Sequence, residues 1–264
     1  MSTAVAQSPC TRFFTQVATA KSRVLLVDYD GTVAPFTAER DQAFPYPHVP
    51  ELLDVIRRIC RTRVVIITGR AAREIPPLVG LQPHPEVWGV YGLERLHPDG
   101  RYEERFVSEE VAHALAEAVA WLEEEGLQQL CEIKRGAVAV HWRGLGRSHV
   151  EEVRTKAYRA VSLLACRPEL FLTEFDGGLE LRARAGNKGD AVRTILSECP
   201  ADSAIAYLGD DLSDEDAFRA LHGHGLTVLV RPTHRFTAAQ LWLRPPEEVV
   251  QFLMSWLHAC EGDA

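Results

Sequence analysis

Three short apolar runs in the chain each end in polar and turn residues. They are Val24–Val27, Val64–Ile67 and Ala204–Leu208. Continuous apolar runs of this length are typical of strands buried on both faces of a parallel sheet. Helical spacing of apolar residues follows in residues 49–56, and again in residues 188–195 after the N-cap residue at 187. This alternation predicts an α/β protein with a Rossmann-like, doubly wound parallel sheet.

Residues 101–184 show a different pattern of apolar and polar positions. Two amphipathic helical stripes and four short alternating strands predict a smaller α+β domain. This domain would be inserted into a parallel-sheet domain made of residues 1–100 and 185–264. Residues 1–20 show no clear period and are expected to form a tail. Ser213 to Asp216 are expected to form a capping box for a helix that follows.

Composition narrows the class of protein. Of 264 residues, 29 are Lys or Arg and 37 are Asp or Glu, a formal net charge of −8. An acidic balance argues against a nucleic-acid partner. No apolar run reaches the roughly 20 residues of a membrane helix, and the first 20 residues lack the pattern of a secretion signal. The six cysteines contain no C-x-x-C pair, so we expect reduced thiols in a cytoplasmic protein.

The candidate chemistry lies at the ends of the three apolar runs. Asp28 and Asp30 follow the first run, Thr68 follows the second and Asp210 follows the third. Ligands bind at the carboxyl ends of the strands in open α/β sheets, so these groups should converge. Clustered carboxylates repel one another and imply a hard cation, and oxygen ligands alone favour Mg²⁺. Lys188 would add a second positive charge for a phosphate.

These groups predict phosphate-ester hydrolysis. Asp28, first after its strand, would attack phosphorus to form an aspartyl-phosphate. Asp30 would protonate the leaving alcohol and then activate water. The Thr68 hydroxyl and backbone N–H groups of the Gly31 loop would bind phosphate oxygens.

The four elements D-x-D-G-T, T-G-R, the lysine and G-D-D-x-x-D resemble the haloacid dehalogenase superfamily of phosphohydrolases, whose motifs occur in this order. The resemblance implies that the catalytic residues are Asp28, Asp30, Thr68 and Lys188. It also implies that Mg²⁺ is bound or supported by Asp28, Asp30, Asp210, Asp211 and Asp214. Within this set, Asp30 would use its backbone carbonyl.

Longer segments resemble the trehalose-6-phosphate phosphatases. These segments are 209–218, 137–143, and 179–182 followed by 187–189. The resemblance implies that the insert is a cap that closes over the substrate as a specificity lid. It also implies a reaction that converts trehalose 6-phosphate to trehalose and phosphate in trehalose biosynthesis, paired in function with a sugar-phosphate synthase. Substrate contacts are expected from Gly31, Arg70, Glu94, Lys134, His141, Arg143 and Glu180.

The chain departs from that family where a histidine is replaced by Tyr91 and a proline by Ala183. These departures lie where the sugar would be recognised, so alternatives stay open. Another glycosyl phosphate, such as sucrose 6-phosphate or glucosyl-3-phosphoglycerate, would use the same core residues. A sugar phosphomutase would return the phosphate to a sugar. A sugar-phosphate sensor would bind without turnover.

Overall fold

The computed structural model describes residues 9–37, 39–175 and 177–262. The chain divides into two compact units. The first unit consists of Met1–Glu103 with Asn187–Ala264, and the second consists of Glu104–Gly186. The sequence pattern predicts an insert over residues 101–184, and both ends of this range lie within three residues of the ends of the second unit.

The first unit contains a mixed sheet dominated by parallel strands. In chain order the strands are β1 (Arg23–Val27), β2 (Arg63–Ile67), β3 (Glu86–Gly89), β4 (Glu94–Leu96), β5 (Tyr102–Glu104), β10 (Ala204–Gly209), β11 (Leu226–Val230) and β12 (Leu241–Leu243). The spatial order is β12-β11-β10-β1-β2-β3-β4-β5. All neighbouring pairs from β12 to β3 are parallel, and β4 joins β3 antiparallel. The predicted doubly wound α/β class is confirmed.

Helices cover both faces of this sheet. They are α1 (Pro9–Thr19), α2 (Val49–Arg58), α3 (Ile75–Val79), α6 (Lys188–Glu198), α7 (Glu215–Leu221) and α8 (Glu247–Glu261). Successive strand residues point to opposite faces, so Leu25 and Val27 join the core beneath α1, α2 and α8, whereas Val24 and Leu26 join the core beneath α6 and α7. Because both faces are covered, each central strand is a continuous apolar run.

The expected N-terminal tail is wrong for the part of it that the structure describes. Residues 9–19 form α1, and residues 1–8 lie outside the described residues. Phe13 and Val17, one turn apart, are buried in the core, and Phe14 packs against Phe252 of α8. The apolar stripe spans only two turns between threonines, which is too short to stand out as a period.

The expected capping box is also displaced. Asp211 and Asp214 form it around a 3₁₀ turn, Leu212–Asp214, and neither Ser213 nor Asp216 takes part. The Asp211 side chain accepts from the Asp214 N–H, and the Asp214 side chain accepts from the Asp211 N–H. The motif therefore stabilises the loop between β10 and α7 rather than the first turn of α7 alone.

The second unit is an antiparallel sheet with two helices. The strands are β6 (Cys131–Lys134), β7 (Ala137–His141), β8 (Leu170–Phe175) and β9 (Gly178–Ala183), in the order β6-β7-β9-β8. The helices α4 (Glu109–Glu124) and α5 (Arg147–Val161) pack on one face through Leu115, Leu122 and Val153. Among the described residues, no helix combines the length and apolarity needed to cross a membrane.

Candidate active site

The ends of β1 and β10 bring three acidic side chains together in the first unit. Oxygen atoms of Asp28, Asp210 and Asp214 all lie within 4.8 Å of one another. All three side chains are buried, at 4%, 3% and 0% exposure. The Asp28 N–H donates to Leu208 O at 2.8 Å, which fixes the end of β1 against β10. The structure thus brings Asp28 and Asp210 together as expected, whereas Asp30, the third carboxylate expected there, pairs with Arg70.

Lys188 lies between two of these carboxylates. Its Nζ is 2.7 Å from Asp28 Oδ1 and 2.8 Å from Asp214 Oδ1. Asn187 forms a capping box with Asp190, so the start of α6 is fixed and Lys188 enters the site from the first helical position. Three buried carboxylates surround one ammonium group, which leaves an excess of negative charge.

Asp214 has a hydrogen-bond donor at every acceptor position. Tyr207 Oη donates to Oδ1 at 2.5 Å, where Lys188 also donates. The backbone N–H groups of Asp210 and Asp211 donate to Oδ2 at 3.0 and 2.9 Å. Asp214 therefore stabilises the site as a structural anion, and Asp28 and Asp210 are the carboxylates better able to accept a cation.

Burial dominates the ionisation of the cluster. Burial raises the pKa of Asp28 to about 7, although the Lys188 ammonium opposes the shift. The pKa of Asp210 is raised well above its ordinary value by burial and by the charges of Asp28 and Asp214. Burial alone would lower the pKa of Lys188, but the carboxylates of Asp214 and Asp28 raise it. The lysine therefore stays charged.

Asp30 lies outside the acidic cluster and forms an ion pair with Arg70. Arg70 Nε and Nη2 each donate to one Asp30 oxygen at 2.7 Å. Arg70 also donates to Arg40 O at 2.8 Å, and its guanidinium group is only 7% exposed. Arg70, expected as a substrate contact, is therefore engaged in holding Asp30.

The Gly31 loop makes a different contribution from the one expected. The Gly31 N–H donates to Ala34 O at 2.7 Å, so it is not free to bind a phosphate. Gly31 has φ +82°, and a Cβ there would lie 2.7 Å from Asp210 Cγ. The missing side chain preserves the space beside the Asp210 carboxylate.

Two further predicted residues are buried in the first unit. Thr68 Oγ1 accepts from the Arg70 N–H at 3.1 Å, which leaves the hydroxyl hydrogen available to a ligand. Glu94 Oε2 accepts from the Ala72 N–H at 2.7 Å, and Glu94 is 6% exposed. One oxygen of Glu94 thus anchors the turn after β2.

The predicted contacts of the second unit form a polar chain on one face of its sheet. Lys134 Nζ lies 2.7 Å from Glu180 Oε1 and 3.5 Å from Glu132 Oε2, which in turn contacts His141 Nε2 at 2.8 Å. Glu180 is 1% exposed, and its Oε2 has no hydrogen-bond partner among the described residues. Arg143 lies beyond β7, where its N–H donates to Gly177 O at 3.2 Å.

Comparison with known proteins identifies the family. The sequence model of the trehalose-phosphatase family matches residues 26–241. The chain belongs to the trehalose-phosphatase family. A trehalose-phosphate phosphatase of Mycobacterium tuberculosis is 31% identical over 248 residues, which cover 88% of this chain and 61% of that protein. The chain thus spans about three fifths of the length of this relative.

Solved structures support the fold. The C-terminal domain of Candida albicans trehalose-6-phosphate phosphatase matches with a TM-score of 0.77 at 20% identity, covering 97% of this chain and 99% of that one. A haloacid dehalogenase-like hydrolase from Bacillus subtilis matches with a TM-score of 0.61 at 15% identity, covering 88% and 99%. The resemblance to the haloacid dehalogenase superfamily is confirmed at the level of fold.

Sequence reasoning missed residues that support the family motifs. Tyr207 reaches Asp214 from inside β10, and Glu132 links His141 to Lys134. A tyrosine within a buried apolar strand is a detectable signal, because its hydroxyl needs a partner. Glu132 has a weaker signal, its alternation with Lys134 on one strand.

The geometry predicts opposite effects for one substitution at two neighbouring carboxylates. In chelator at pH 8, Asp210→Asn should raise the free energy of unfolding, because it removes a buried carboxyl whose folded-state pKa is raised. Asp214→Asn should lower it by about 3–5 kcal/mol, because a partner of the Lys188 ion pair is lost. Urea unfolding followed by tryptophan fluorescence measures both.

The pH dependence provides the control. A buried carboxyl with a raised folded-state pKa makes the folded protein less stable as the pH rises above 3.8, the ordinary pKa of the side chain. Asp210→Asn removes this destabilisation, so the stability that the variant gains over the wild type should shrink as the pH falls towards 4. Equal losses in both variants at pH 8 would contradict the assignment of Asp214 as the structural anion.

Proposed function

We propose that the protein hydrolyses trehalose 6-phosphate to trehalose and phosphate with Mg²⁺ as cofactor, in trehalose biosynthesis. The observation that carries this proposal is the Lys188 ammonium bound to Asp28, beside a buried excess of carboxylates. This arrangement suits a nucleophilic carboxylate that must receive a phosphate dianion. Family membership supports trehalose 6-phosphate as the substrate.

The donor set fits Mg²⁺. Carboxylate oxygens of Asp28 and Asp210 lie within 4.8 Å of each other, a separation at which two ionised carboxylates repel. A hard divalent cation binds carboxylate oxygens and relieves the same repulsion. The absence of a side chain at Gly31 leaves space beside the Asp210 carboxylate, which supports a cation at this position. When bound, Mg²⁺ supplies positive charge that stabilises the phosphoryl group in the transition state.

Asp28 is proposed as the nucleophile. A bond would form between an Asp28 carboxylate oxygen and phosphorus while the bond from phosphorus to the sugar oxygen breaks. Lys188 orients Asp28 and neutralises charge on the phosphate, and the Thr68 hydroxyl donates to a phosphate oxygen. Water then attacks phosphorus of the aspartyl-phosphate, which releases phosphate and restores Asp28.

Asp30 is proposed as the general acid and base. A general acid must present a carboxyl oxygen to the leaving sugar oxygen, whereas both Asp30 oxygens accept hydrogen bonds from Arg70 in this structure. Asp30 must therefore give up at least one Arg70 hydrogen bond before it protonates the leaving sugar oxygen. With 27% of its side chain exposed, Asp30 has room for that change.

The second unit is proposed as the lid that recognises the sugar. Burial of an unpartnered carboxylate oxygen is unfavourable, and Glu180 Oε2 is such an atom. A sugar hydroxyl would satisfy it, and Lys134, His141 and Arg143 offer further polar groups. We also propose a cytoplasmic location and a functional pairing with a synthase that makes the sugar phosphate.

Phosphate release from a panel of sugar phosphates tests the proposed function. The panel holds trehalose 6-phosphate, glucose 6-phosphate, sucrose 6-phosphate and glucosyl-3-phosphoglycerate, each with Mg²⁺ or chelator. We expect Mg²⁺-dependent release from trehalose 6-phosphate, reduced roughly a thousandfold or more in Asp28→Asn because the nucleophile is lost. Asp216→Asn, the same change at an exposed carboxylate, is the control and should retain activity.

The panel also separates the alternatives. Release from another member alone would reject trehalose 6-phosphate but keep the mechanism. Transfer of phosphate between sugar positions, dependent on a bisphosphate activator, would show a mutase. Binding of trehalose 6-phosphate without turnover would show a sensor.

The lid proposal predicts a substrate-dependent effect of Glu180→Gln. The KM for trehalose 6-phosphate should rise about tenfold, because a charged hydrogen bond to the sugar is weakened. Hydrolysis of acetyl phosphate, which has no sugar, should be unchanged. Glu174→Gln, at a more exposed carboxylate of β8, is the matched control. Equal losses on both substrates in Glu180→Gln would reject a sugar-binding role.

A further inference from the structure

Arg235 contacts the carbonyl groups of Asp210 and Asp211, the same two residues whose N–H groups donate to Asp214. Its Nη2 donates to Asp211 O at 2.7 Å and to Asp210 O at 3.4 Å. Arg231 Nη1 also donates to Asp210 O, at 3.3 Å. Sequence reasoning assigned no role to either arginine, and both lie in the segment between β11 and β12.

The contacts of this loop hold both peptide groups that flank Asp210. The peptide before Asp210 donates its N–H to Asp214, as does the peptide after it. The carbonyl of the following peptide accepts from Arg235 and Arg231. The peptide between Asp210 and Asp211 is therefore hydrogen-bonded at both its N–H and its C=O. Because a peptide group is planar, these bonds fix its orientation. The direction in which the Asp210 side chain leaves the backbone is thereby set.

Glu215 holds Arg235 in place. Its Oε1 accepts from Arg235 Nη1 and from Thr237 Oγ1, the latter at 2.8 Å, and its Oε2 accepts from the Ala238 N–H at 2.8 Å. Glu215 is the first residue of α7, directly after the 3₁₀ turn of the loop. Residues 235–238 therefore contact the chain at two nearby places, the carbonyls of Asp210 and Asp211 and the side chain of Glu215.

We propose that Arg235 is a positioning residue for the divalent-cation site. It holds the Asp211 carbonyl at 2.7 Å and the Asp210 carbonyl at 3.4 Å, so that the Asp210 carboxylate is oriented to bind the cation before the cation arrives. This inference rests on the proposed function for the identity of the cation. Residues behind metal ligands typically change metal affinity ten- to a hundredfold when they are lost.

Isothermal titration of Mg²⁺ into the metal-free full chain tests this role. We expect the Mg²⁺ dissociation constant to rise about tenfold or more in Arg235→Ala. Arg235→Lys should give an intermediate value, because one ammonium can reach a carbonyl but cannot bind the carbonyls and Glu215 from separate nitrogens as Arg235 does. Added guanidinium chloride should restore affinity to Arg235→Ala, whereas equal sodium chloride should not.

The matched control is Arg219→Ala. Arg219 Nη2 pairs with the exposed Asp216 on α7 at 2.8 Å, a side-chain contact and not one to the carbonyls of Asp210 or Asp211. This variant should bind Mg²⁺ like the wild type. Thermal unfolding in chelator monitors folding, and Arg235→Lys keeps the test valid if Arg235→Ala does not fold.

Three outcomes would overturn the inference. Folded Arg235→Ala with wild-type Mg²⁺ affinity would show that the arginine only stabilises the fold. Equal weakening in Arg219→Ala would show a general effect of lost charge. A wild-type protein that takes up no Mg²⁺ would reject the metal of the proposed function and the positioning role with it.

Discussion

The hydrogen bonds to the buried Asp214 carboxylate organise the rest of the site. Four donors from three separate segments meet on its two oxygens, namely a tyrosine in a strand, a lysine at a helix start and two loop N–H groups. A buried charge is tolerated only when it is paired and fully hydrogen-bonded, and Asp214 meets that condition. Through Lys188 the same carboxylate sets the position of Asp28, and through the loop it sets Asp210.

The burial of the Asp28 and Asp210 carboxylates is not balanced by hydrogen bonds to the same extent. Their burial raises the pKa of each, so the metal-free fold carries an unfavourable charge cluster at neutral pH. The chemistry proposed for the site requires this imbalance, because a site neutralised by its own side chains would have no need of a cation and little attraction for a phosphate. Asp30 adds a second constraint, since Arg70 occupies both oxygens of the carboxylate that is proposed to act as the general acid.

The sequence was sufficient for the class of fold and for the convergence of Asp28 and Asp210, but not for the position of Asp30. Apolar runs that end in Asp28, Thr68 and Asp210 predict parallel strands, and the geometry of such sheets brings strand ends to one edge. Which side chains form ion pairs with each other was not predictable in the same way. Arg70 pairs with Asp30 across 40 residues of chain, and only the tertiary approach of two loops decides that it holds the acid rather than the substrate.

Other side-chain contacts escaped prediction for similar reasons. Glu94 accepts a backbone N–H from Ala72, and Asp211 forms the capping box expected at Ser213, because local backbone donors compete for carboxylates that look free in the sequence. In α1, a stripe of two turns gains its burial from α8, which lies at the far end of the chain.

The central claim is that Asp28, oriented by Lys188 and Asp214, becomes covalently phosphorylated. The most direct test is to mix the enzyme with trehalose 6-phosphate and Mg²⁺, quench within a single turnover, and reduce with borohydride, which converts an aspartyl-phosphate to homoserine. Mass spectrometry of the peptides then locates the product. The account predicts homoserine at position 28 and unmodified aspartate at position 30. Homoserine at another carboxylate, or phosphate release with no trapped homoserine, would contradict it.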